Sequence, residues 1–134
     1  MRTSRLSLKP VKTSLYALST GLSKPTPALT DCEILAKKRG WQPVGEFWDC
    51  APPGCTRLDH AQRWAAALKQ AEIGMTRGIV ASRLDDVAPD AAAYATLTAW
   101  AADHCTFVLF VDGGRYGPHH LIGPAPSAPT AKAA

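Results

Sequence analysis

Apolar positions along the chain switch between two spacings. Residues 14–18 form a short run, Ser14-Leu15-Tyr16-Ala17-Leu18, that reads as a buried strand and is broken by Gly21 and Pro25. Ala28, Leu29, Cys32, Leu35 and Ala36 then recur at helical spacing, predicting a helix over residues 28–39. Thr26-Pro27 supplies its start signal, with Thr26 as cap; Lys37, Lys38 and Arg39 complement the last turn, and Gly40 ends it. A second strand is expected at residues 44–48. A loop with Pro52, Pro53 and Gly54 follows. Thr56 with Asp59 approximates a capping box for a helix over 57–73, whose apolar stripe is Ala61, Trp64, Ala65, Leu68 and Ala71. Residues 78–82 read as a third strand. Pro89 opens a helix over 89–103 with Ala93, Leu97, Trp100 and Ala101 inward. Residues 107–111, apolar throughout, read as a strand covered on both faces.

The resulting order, β-α-β-α-β-α-β, predicts an α/β domain of three layers: a mostly parallel four-stranded sheet with helices on both faces. In such sheets sites form beyond the carboxyl ends of the strands. Here those ends are Ser19-Thr20, residues 49–57, Arg83-Leu84-Asp85-Asp86 and Asp112.

The chain has 134 residues, enough for one domain, and 46% of them are hydrophobic, enough for a core. The expected organisation is a disordered basic leader over 1–12, a globular domain over 13–112, and a disordered tail over 113–134 rich in Gly, Pro and Ala. His119 and His120 fall in that tail and are assigned no role. No apolar run is long enough to span a bilayer, and no secretion signal is read, so the expected location is cytoplasmic, with no membrane partner and reduced cysteines. Cys50, Cys55 and His60 lack a fourth ligand at zinc spacing; no metal and no cofactor are expected.

Net charge is +4, unevenly spread. Residues 1–24 carry five cations and no acid, whereas residues 31–112 hold eleven acids against eight Lys and Arg, a net of −3. Any DNA binding is therefore expected to be weak, salt-sensitive and carried by the leader. The four tryptophans are assigned to packing rather than base stacking. Nothing in the sequence specifies an oligomeric state.

Several short motifs occur in the order seen in serine recombinases. Leu15-Tyr16-Ala17-Leu18-Ser19-Thr20 resembles that family's Tyr-x-Arg-x-Ser-Thr strand end, where Ser is the nucleophile. Gly40-Trp41, then Phe47-Trp48-Asp49, then the loop Pro53-Gly54-Cys55-Thr56-Arg57 and the signature-like Ser82-Arg83-Leu84-Asp85-Asp86 follow. Over residues 14–111 the chain resembles the catalytic domain of resolvases and invertases. The resemblance implies Ser19 and Asp85 as vestigial catalytic positions sharing one cleft, and Arg57 and Arg63 as candidate DNA contacts. It also shows what is missing. Ala17 or Leu18 stands where the family has an Arg, Asp86 replaces the Arg of Leu-Asp-Arg, and Pro89 replaces the next. Phosphodiester cleavage builds charge that preorganised cations must meet. The expectation is a degenerate recombinase-like domain, related to DNA recombination and mobile elements, without strand exchange. The alternatives are an active DNA recombinase using Ser19, and a small-molecule-binding or protein-interaction module.

Overall fold

A computed structural model describes residues 10–51 and 61–126. The elements are β1 (Val11–Ser19), α1 (Thr26–Lys38), β2 (Trp41–Cys50), α2 (Gln62–Glu72), β3 (Gly78–Arg83), a one-turn α3 (Leu84–Val87), α4 (Ala91–His104), β4 (Phe107–Asp112), a 3₁₀ turn (Gly114–Tyr116) and β5 (Pro118–Ile122). The sheet has five strands in the order β2-β1-β3-β4-β5. The first four strands run parallel and β5 is antiparallel to β4. The α/β class and the layered plan agree with the sequence pattern, while the four-stranded sheet is corrected to a mixed sheet of five. β5 lies within the stretch expected to be tail, so the sheet extends beyond residue 112. Residues 1–9 and 127–134 lie outside the described residues, as does the loop with the Thr56/Asp59 cap.

Side-chain alternation divides the core in two. Tyr16, Ile79, Ala81, Val108, Phe110 and Ile122 face α2 and α4, where Trp64, Ala67, Leu97 and Ala101 cover them. Leu15, Ala17, Val80, Phe107 and Leu109 face α1 and pack on Leu29, Cys32, Leu35 and Ala36. Right-handed crossovers explain the split: α1 carries the chain from β1 to β2 in one direction, α2 and α4 in the other, so they lie on opposite faces.

The strand boundaries differ from expectation for physical reasons. β1 starts at Val11, because Val11 and Thr13 are buried on either side of exposed Lys12. β2 runs through Pro43 because it is an edge strand, where a missing N–H can face solvent. The register slips beside Val44, which bulges outward and is 45% exposed. Thr26 is the first residue inside α1 and makes no side-chain cap; Pro25 precedes it. The third long helix starts at Ala91, not Pro89, and Asp90 caps it by accepting from Ala93 N at 2.8 Å. Among the described residues no helix is long and apolar enough to cross a membrane.

Candidate functional site

Neighbouring strands β1 and β3 send their chains in opposite directions, so their carboxyl ends flank a topological switch point, the usual place for a site in an open α/β sheet. Tyr16 stands opposite Ala81 in the register, which puts Ser19 and Leu84 level at the same edge.

Ser19 is the last residue of β1 and is buried. Its Oγ accepts a hydrogen bond from Gly21 N at 3.2 Å, and its carbonyl accepts from Ala51 N at 2.8 Å. Among the described residues no histidine or lysine hydrogen-bonds to the hydroxyl, so no base is in place to activate it. The residue shapes the turn that leaves β1.

Asp49, one residue before the end of β2, is the most engaged acid at this edge. Oδ2 accepts from the Tyr16 hydroxyl at 2.9 Å and from Trp64 N at 3.0 Å; Oδ1 accepts from Arg63 N at 3.0 Å. A side chain from a distant strand thus caps the first turn of α2. Burial, first, and then the Asp49 hydrogen bond and charge hold the Tyr16 phenol well above its ordinary range. Arg63, a candidate DNA contact, is exposed on that first turn. Arg57, the other candidate, lies outside the described residues.

Asp86 is half-buried at the end of β3, and burial raises its carboxyl above the usual range; Arg83 partly offsets this, while Asp85 and Asp112 add to it. It is therefore not a freely solvated acid. Asp85 sits on the first turn of α3 on the far side from β1. It lines a cavity of about 220 Å³ with Leu84, Ala88, Pro89, Tyr94, Arg115 and Tyr116. Ser19 is not among those lining residues, and no hydrogen bond joins Ser19 to Asp85.

Sequence reasoning missed the cavity's aromatic wall. Tyr116 stacks on His120 with ring centroids 4.5 Å apart and on Tyr94 at 5.0 Å. The Tyr94 hydroxyl lies 2.9 Å from His120 Nε2. Burial lowers the His120 pKa from its usual value, favouring the neutral ring. His120 is thus part of a strand and a hydrogen-bonded cluster, not of an inert tail. The glycines read as disorder make a tight connection instead. Gly114 has φ +60°, and a Cβ on Gly113 would collide with the Gly117 carbonyl. Asp112-Gly113 followed by Gly117-Pro118 was the available signal, since Asp-Gly and Gly-Pro pairs between apolar runs mark hairpin turns.

Among the described residues no group of three His, Cys, Asp or Glu side chains could hold a metal ion; Cys55 and His60 lie outside them. Comparison of the chain with family models, with curated proteins and with solved structures found no match.

Proposed function

We propose that this chain is a degenerate serine recombinase-like domain that does not cleave DNA and serves as a non-catalytic module related to recombination or mobile elements. The observation that carries this reading is Asp86. It occupies the position where the resemblance calls for an arginine and is half-buried; burial raises its pKa, Arg83 partly offsets this, and Asp85 and Asp112 add to it. A phosphodiester brought to this position finds an acid where the chemistry needs a cation, which opposes the charge development of phosphoryl transfer. The Ser19 hydroxyl engaged with Gly21 N, without an adjoining base, supports the same reading. Loss of one charge-stabilising donor typically costs about 10²–10³ in rate, so a site altered at several such positions has negligible cleavage activity. DNA association is weak and carried by Arg2, Arg5 and Lys9.

The test is denaturing electrophoresis after incubating the full chain with labelled supercoiled or nicked DNA, with Ser19→Ala beside it. No covalent adduct is expected from either. An adduct formed by the wild type and lost in Ser19→Ala overturns the proposal in favour of an active recombinase. Removing residues 1–9, which leaves β1 intact from Val11, is expected to abolish most duplex binding at low salt.

A further inference from the structure

Asp85 and Arg115 line one cavity of about 220 Å³, carry opposite charges, and are not paired with each other or with any other described side chain. Two unpaired, opposite charges facing one small concave space describe the complement of a dipolar molecule. The remaining lining residues are apolar or aromatic: Leu84, Ala88, Pro89, Tyr94 and Tyr116. We infer that the cavity between α3, α4 and the Gly114–Tyr116 turn binds a free α-amino acid with an aromatic or large apolar side chain.

The charges determine the head group. A guanidinium takes a carboxylate through paired N–H donors, and Arg115 is the one cation lining the cavity among the described residues. Asp85 takes the ammonium. A phosphate would gain from Arg115 but meet repulsion from Asp85, and a divalent cation would meet the reverse. Only a ligand with both charges is favoured at both ends. The side chain then meets the aliphatic and tyrosine lining, where ring-on-ring or ring-on-alkyl contact supplies most of the attraction. Size sets the upper limit. At about 220 Å³ the cavity lies below the roughly 300–1,000 Å³ typical of pockets for drug-sized ligands, which suits a small ligand such as a single amino acid.

The site is also held in shape before any ligand arrives. Tyr94 is fixed by its hydroxyl contact to His120 Nε2, and Tyr116 packs against both rings, which lie 6.0 Å apart. The Arg115 guanidinium rests over the Tyr116 ring, 5.4 Å from its centroid, which restricts a long side chain without neutralising it. A Cβ at Gly114 would stand 3.0 Å from Asp85 Oδ1, so glycine there leaves the carboxylate room. Preorganisation of this kind lowers the cost of binding. The inference is independent of the recombinase-like reading; it needs neither DNA nor Ser19.

Calorimetric titration of the full chain with L-phenylalanine, L-tyrosine, L-tryptophan and L-leucine tests it. Saturable one-site binding of at least one is expected. For L-phenylalanine, 3-phenylpropionate (no ammonium) and phenethylamine (no carboxylate) should each bind about tenfold or more weaker, the loss of a charged contact. Asp85→Asn and Arg115→Gln should each weaken the amino acid by a similar factor. Asp85→Asn should also erase the preference for L-phenylalanine over 3-phenylpropionate. Both positions are exposed, and thermal melts of the variants check folding. If either variant fails to fold, the analogue series on the wild type decides. No binding of any of the four at millimolar concentration, equal binding of the analogues, or unchanged binding in both folded variants would overturn the inference.

Discussion

The carboxyl ends of β2 and β3 lie at the same edge of one sheet, and an aspartate stands at or just after each, yet the two are built to opposite effect. At β2, Asp49 is surrounded by donors: a phenol and two backbone N–H groups at the start of α2. At β3, Asp86 has Arg83 on one side and the carboxylates of Asp85 and Asp112 on the other, and burial disfavours its charge. An acid ringed by donors ties elements together; an acid crowded by acids is a local liability that the rest of the fold sustains. The β2 end therefore reads as scaffold, and the β3 end as the part of the edge left free for binding.

The comparison breaks most readily at Asp49. Asp49→Ala removes a helix cap and strands the buried Tyr16 hydroxyl, so unfolding in urea should show a loss of about 3 kcal/mol. A loss below about 1 kcal/mol would mean that the donors around Asp49 do not hold β2 to α2. Tyr16→Phe removes one charge-assisted bond and leaves the cap, and should cost about 1.5 kcal/mol. Asp86→Asn should act in the other direction and raise the melting temperature at neutral pH. The folded state raises the carboxyl's pKa above its unfolded value near 4, so it holds the proton to higher pH than the unfolded chain. That group's contribution therefore falls as pH rises through this window. The advantage of Asp86→Asn should disappear at acid pH, where both states are protonated; a variant less stable than wild type at neutral pH would contradict the burial argument. Asp85→Asn is the smallest change: the exposed carboxylate has no hydrogen-bond partner among the described residues, so stability should stay within about 0.5 kcal/mol. A larger loss would make Asp85 part of the scaffold after all.

The parallel part of the fold was legible because its strands are covered on both faces and its helices on one. Continuous apolar runs at 78–82 and 107–111, and the Leu29-Cys32-Leu35-Ala36 stripe, report that burial directly. β5 was not legible in this way. Pro118 and His119 face outward on an edge strand, His120 and Leu121 are half-buried and only Ile122 is buried, so no apolar alternation marks it. The Asp49 cap was hidden for another reason: its partners lie 14, 15 and 33 residues away, beyond any local pattern. Ser19 and Asp85 were both legible as strand-end residues. That Asp85 lines a cavity with Tyr94 and Arg115 was not, because three separate segments converge there only after the sheet has formed.

The reversal of direction at β5 sets where the sheet is entered and left relative to the cavity. Had the last strand run parallel, it would finish at the edge that carries Ser19 and the cavity. Instead the sheet is entered at Val11 and left at Ile122 on the opposite edge, with two strands between. Three strand spacings amount to about 14 Å, a gap that about five extended residues can bridge. The fold is therefore suited to circular permutation: Val11 and Ile122 can be joined by a short linker, and new termini opened elsewhere, without a chain crossing the edge where ligands are expected to bind.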